Sequence, residues 1–103
     1  MLVDSHCHLN MLQFKDDLDS VIENAEKNNV KYLQTICTKL SDYDEIKKIV
    51  KKYSTIFCSF GIHPHEADKH MDLSVEDIIN HTNHNKTIGI GETGLDYYYE
   101  YSN

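Results

Sequence analysis

The feature that most constrains this chain is its alternation of two hydrophobic periods. Short apolar runs of strand type are separated by longer stretches in which apolar residues recur every three or four positions. Met1–Val3 opens a strand that ends near His6 or His8. Phe14, Leu18, Val21, Ile22 and Ala25 then follow the spacing of an amphipathic helix, with Asn28 and Asn29 as stop residues. Val30 to Cys37 reads as a second strand. A second helix covers SDYDEIKKIVKKY, with Ser41 as N-cap and Asp42, Asp44 and Glu45 in its first turn. Its apolar face is Ile46, Ile49, Val50 and Tyr53. Thr55 to Ile62 is a third strand, Ser74 caps a short third helix, and Thr87 to Gly91 is a fourth strand.

The order βαβαβαβ implies a parallel sheet with helical crossovers. No linker or low-complexity segment divides it, so the 103 residues form one α/β domain. Two architectures begin this way, the open doubly wound sheet and the (β/α)₈ barrel. A barrel takes ~250 residues, so the chain holds about half of one. In both architectures function gathers at the C-terminal ends of the strands, which turns position into a test of each motif.

Charge narrows the functional classes. The formal net charge is -7, with ten lysines and no arginine. That argues against nucleic-acid binding through a broad basic surface, but does not exclude a nuclease whose divalent cations supply positive charge locally. No apolar run reaches membrane-span length, and no basic segment precedes an apolar one at the N-terminus, so a cytoplasmic location without membrane contact is expected. Cys7, Cys37 and Cys58 are odd in number and widely spaced, which gives no disulfide framework. Cys37 and Cys58 read as small buried hydrophobes.

Three motifs fall at predicted strand ends. In DSHCH, His6 and His8 are two apart, so both imidazoles can share one face of a strand. That permits a metal chelate, the alternative being two polar histidines at a strand-to-loop corner. Cys7 would face the helical layer and pack. In GIHPH, Pro64 biases His63 away from helix and holds it at the mouth of the sheet. A phosphate contact, a general acid and an ordinary X-Pro turn are all open there, and His65 reads as a loop residue. GIGETG matches a dinucleotide fingerprint letter for letter, but that fingerprint needs a helix starting at the second glycine. ETGLDYYYEYSN has no helical period, and Glu92 would meet a pyrophosphate as a like charge. Glu92 instead lies on the same rim as His6, His8 and His63, where a carboxylate beside two imidazoles makes a mixed N/O site for a divalent metal. Asp96 is a candidate hydrogen-bond acceptor behind such a site. Asp4 could orient His6 or His8, or cap local backbone.

Other features carry no chemistry of their own. His81 and His84 read as solvated histidines by a helix end. Lys47, Lys48, Lys51 and Lys52 form a solvated strip.

DSHCHL, GIHPH and GETGLDYYY, in this order, resemble the TatD family of metal-dependent deoxyribonucleases, and the match runs the length of the chain. The resemblance implies the N-terminal half, about four βα units, of an amidohydrolase-like TIM barrel, with residues 1–103 as a partial hydrolase domain. It implies one or two divalent ions (Mg²⁺, Mn²⁺ or Zn²⁺) in a complete site, DNA as substrate, His6 and His8 as ligands of one metal, and Glu92 as a ligating or bridging carboxylate. It implies that His63 and Glu92 are catalytic, His63 near the substrate phosphate. Tyr97–Tyr99 could stack on a base, packing or loop burial being the expectation for most of them. The family's pattern continues with two further histidines and an aspartate on later strands. Without them the 103 residues are expected to lack a full ligand set and to self-associate through open barrel edges, and the alternative function is a non-enzymatic remnant.

Overall fold

A computed structural model describes residues 1–102. Four strands, β1 (Leu2–Cys7), β2 (Val30–Thr35), β3 (Ile56–Phe60) and β4 (Thr87–Ile90), alternate with three α-helices, α1 (Leu18–Lys27), α2 (Leu40–Lys52) and α3 (Val75–Thr82). The strands form one parallel sheet in the order β1-β2-β3-β4. Leu33 pairs with Ile56, and Cys58 with Thr87. Each consecutive pair of strands is joined through a helix, as the alternating periods predict.

The core lies between the sheet and α2. Ile56, Cys58 and Phe60 of β3 are fully buried and meet Tyr43, Ile46 and Val50 of α2. Removing each such large apolar side chain from water stabilises the fold by roughly 1.5–3 kcal/mol. Tyr43 was not part of the expected apolar face, yet it is buried edge-on to Phe60, with ring centroids 4.7 Å apart. Its hydroxyl donates to the His81 carbonyl (2.5 Å) and lies 2.7 Å from Thr87 Oγ1, so its polar end is satisfied inside the core. His81, expected to be solvated, is half-buried and stacks on Phe60 at 5.0 Å.

Two helix starts differ from the sequence reading. The α1 period was read from Phe14, but Phe14 sits in a separate 3₁₀ turn (Leu12–Phe14) and the α-helix begins at Leu18. The acidic run Asp16-Asp17 explains the shift, since carboxylates favour the positive N-terminal end over a helix interior. Asp17 takes the N-cap position and Asp19 the first turn. In α2 the N-cap residue is Lys39, so Ser41 lies inside the first turn. The Leu40 N–H donates instead to His70 Nε2 at 3.2 Å, a distant side chain doing what a local serine would do. At α3 the expectation holds, because Ser74 and Asp77 exchange both bonds of a capping box. The stop at Asn28-Asn29 also holds, with Asn29 at φ 66.

Within the described sheet β1 pairs only with β2 and β4 only with β3. Their outer edges carry Leu2, Val3, Ile88 and Ile90, each more than half exposed. No helix among the described residues is long and apolar enough to cross a membrane.

Candidate metal centre

The C-terminal ends of β1, β3 and β4 meet at one rim. Glu92, two residues past β4, is the hub. His6 Nε2 lies 3.5 Å and His8 Nε2 3.6 Å from Glu92 Oε2, and His63 Nε2 lies 3.2 Å from Oε1. One ligand atom from each of His6, His8 and Glu92 falls within 4.8 Å of the other two. Two ligands each ~2.0–2.2 Å from a tetrahedral ion are themselves roughly 3.3–3.6 Å apart, so the His–Glu spacings fit a shared divalent ion. The donor set, two imidazoles and a carboxylate, is equally suited to one.

Alternation along β1 delivers the histidine pair. His6 and His8 project to the rim with rings 5.2 Å apart, while Cys7 packs towards the core and its thiol donates to the Gln34 carbonyl at 3.3 Å. Burial, and secondarily Asp4, pushes the Cys7 thiol up to about 12, so it is neutral and stays out of the cluster's chemistry. Asp4 accepts the His6 backbone N–H (3.1 Å), which is the backbone-capping role.

Backbone bonds fix the other strand ends. The Gly91 N–H donates to the Phe60 carbonyl and the Glu92 N–H to the Cys37 carbonyl, both at 2.8 Å, and Ser59 Oγ donates to the Gly91 carbonyl at 2.6 Å. The His63 N–H reaches the Thr38 carbonyl at 2.7 Å. The approach between β3 and the Glu92 loop is so close that a Cβ on Gly61 would fall 2.5 Å from the Glu92 carbonyl oxygen. No helix follows Gly91 within the described residues, so Gly89–Gly94 builds no pyrophosphate cradle; the glycine that the close passage requires is Gly61, and Gly94 (φ +135) makes a turn.

His65, read as a plain loop residue, turns out to be part of the rim. The 3₁₀ segment Pro64–His70 returns its backbone N–H to His63 Nδ1 at 3.1 Å. A neutral His63 ring therefore carries its proton on Nε2, facing Glu92. The His65 ring packs on His63 (4.4 Å between centroids), and its Nε2 lies 2.5 Å from Asp96 Oδ2. Asp96 thus pairs with His65 rather than with His6, His8 or His63. Its other oxygen accepts the N–H groups of Tyr98 and Tyr99. The Tyr99 N–H first, then His65 and the Tyr98 N–H, hold the Asp96 carboxyl below its ordinary range. The signal for His65 was its place two residues after His63 in H-P-H, where one turn puts both rings on the same rim. An open cleft of about 340 Å³ contains His6, His8, His63, His65 and Glu92 in its wall. Tyr97 and Tyr98, expected for the most part to pack, are 91% and 84% exposed, because the loop's anchoring runs through Asp96 and backbone rather than through those rings.

Known proteins resemble this chain in sequence and in fold. The family model described as TatD related DNase matches residues 3–103. An uncharacterized metal-dependent hydrolase of Buchnera aphidicola is 39% identical over 95% of this chain and 40% of its own length. The Escherichia coli metal-dependent hydrolase YcfH is 36% identical over 95% of this chain and 37% of its own. Human deoxyribonuclease TATDN3 is 31% identical, covering 93% and 38%. The chain thus spans about two fifths of the length of these relatives. The crystal structure of YjjV, a TatD homolog from Escherichia coli, superposes with a TM-score of 0.85 over 96% of this chain and 39% of that one, at 24% identity, so the four strands and three α-helices have the fold of the N-terminal part of a TIM barrel.

Proposed function

Since the chain belongs to the TatD related DNase family, we propose that residues 1–103 form the N-terminal part of a metal-dependent hydrolase domain that cleaves phosphodiester bonds of DNA. The observation that carries this reading is the convergence of His6, His8 and Glu92 on one rim of a barrel-type sheet. These three side chains would hold a divalent cation, Mg²⁺, Mn²⁺ or Zn²⁺, with one or two ions in a site completed by later strands. Such an ion lowers the pKa of a bound water and polarises a phosphoryl oxygen. Glu92 presents one oxygen to the two histidines and the other to His63, as a bridging carboxylate would. His63 offers an Nε2–H donor, held in that tautomer by the His65 amide, and is suited to binding a phosphate oxygen. The three free cysteines fit a reducing cytoplasm.

The test has two arms. Mn²⁺ binding by calorimetry should be lost when His6 and His8 are both replaced by alanine. Single-stranded DNA should be cut with Mg²⁺ or Mn²⁺ when the remaining barrel strands are supplied, and spared with chelator or in the double variant. Full cleavage by a folded double variant would refute the metal role. The exposed edges of β1 and β4 favour a second reading of the 103 residues by themselves, as an inactive unit that self-associates. A monomeric chain at all concentrations in sedimentation would rule that out.

A further inference from the structure

Beside the metal cluster lies a second open cleft of about 590 Å³, with His65, Glu66, Lys69, Tyr99 and Tyr101 in its wall. It is continuous with the first, because His65 and Glu66 border both. Both volumes fall in the range of small-ligand sites. Tyr99 and Tyr101 stack face to face, 5.5 Å between centroids at 26°, yet they are 50% and 66% exposed. The His65 ring supports both, at 5.6 and 4.6 Å.

The platform is fixed at both ends. Asp96 ties its start to His65 and to the Tyr98 and Tyr99 amides, and the Asp68 N–H donates to Ser102 Oγ at 2.8 Å at its end. An aromatic pair at least half exposed among the described residues, in a cleft that shares His65 and Glu66 with the cleft of the metal cluster, matches what bases of a single strand stack on.

We propose that this cleft is a nucleobase subsite. A base of single-stranded DNA stacks on the outer face of the Tyr99–Tyr101 pair while a neighbouring phosphate lies at the metal cluster. The inference rests on the phosphodiesterase reading of that cluster and adds how the strand is held. Charge makes it specific. The chain carries -7 overall, and the one lysine among the described residues bordering the cleft, Lys69, is already 3.2 Å from Glu66. Backbone neutralisation can therefore supply little, and affinity must come from the bases.

The test uses this chain in chelator, so that nothing is cut, titrated with a short single-stranded oligodeoxynucleotide carrying 2-aminopurine. Stacking quenches its fluorescence. The expected results are saturable quenching, a salt slope of about -0.7 or shallower, as for one neutralised phosphate, and binding at least about tenfold weaker for an abasic oligonucleotide of equal length. Tyr99→Leu and Tyr101→Leu should each weaken binding about tenfold, and Tyr101→Phe should keep it. Equal binding of the abasic strand to the wild-type chain would overturn the proposal whatever the variants do. So would full affinity in both leucine variants. Mn²⁺ calorimetry on the same protein variants, after the chelator is removed, separates the two readings. Metal bound without base-dependent quenching sinks the subsite alone, and quenching without metal binding sinks the metal reading alone.

Discussion

Replacing Gly61 by alanine probes whether the cluster is shaped by backbone contact between two strand ends. The added Cβ would lie 2.5 Å from both the Glu92 carbonyl oxygen and the Gly91 carbonyl carbon, and 2.8 Å from Gly91 Cα. These are backbone atoms, so no side-chain rotation relieves the overlap. Ordinary contact begins near 3.4 Å, so the ends of β3 and β4 must part by roughly 0.9 Å, and overpacking of this kind costs about 1–3 kcal/mol. The displaced residue is Glu92, whose oxygen now sits 3.5 and 3.6 Å from the two imidazoles. Metal–ligand distances tolerate only about 0.2 Å, so the carboxylate should leave the ligand set, and Mn²⁺ affinity should fall by about 10–100-fold, the range seen when a ligand loses its positioning. Thermal unfolding reports the first quantity and calorimetry the second. Gly89→Ala is the control, since its Cβ meets only Gln34 Oε1 at 3.8 Å, and both readouts should stay near wild type. A folded Gly61→Ala chain with wild-type metal affinity would refute the reasoning.

Two further outcomes are expected. Asp96 titrates below its unfolded value in the folded chain, so its contribution is present above about pH 4 and is lost as pH falls through the folded value. The Tyr98 and Tyr99 amides should then lose hydrogen-exchange protection as pH falls below about 4, before the core does, and Asp96→Ala should lack that protection already at neutral pH. Unchanged protection across the window would contradict the anchor. Tyr43→Phe removes a buried hydroxyl that serves the His81 carbonyl and Thr87 Oγ1, and should destabilise by about 1–3 kcal/mol in denaturant unfolding; a loss under about 0.5 kcal/mol would mean water takes its place.

What the sequence disclosed, and what it did not, follows from the range of each interaction. Hydrophobic period is local, so the strand and helix order could be read directly, and with it the rim on which His6, His8, His63 and Glu92 had to gather. Ser74 was legible as a cap because its bond to the Asp77 amide spans three residues. Leu40 was not, because its partner His70 is thirty residues away, and no local pattern announces a cap supplied from elsewhere. His81 looked solvated for the same reason: the ring that covers it belongs to Phe60, on β3. His65 is the instructive case. Its ring finds Asp96 thirty-one residues later while its amide reaches back two residues to His63. One residue thus joins the GLD loop to the imidazole facing Glu92, and also borders both clefts. A loop histidine with one local and one distant bond is invisible to periodicity and is recognised only once both strand ends share a rim. Such a residue can couple the aromatic platform to the metal cluster, because any shift of the Asp96 loop acts on the ring that packs against His63.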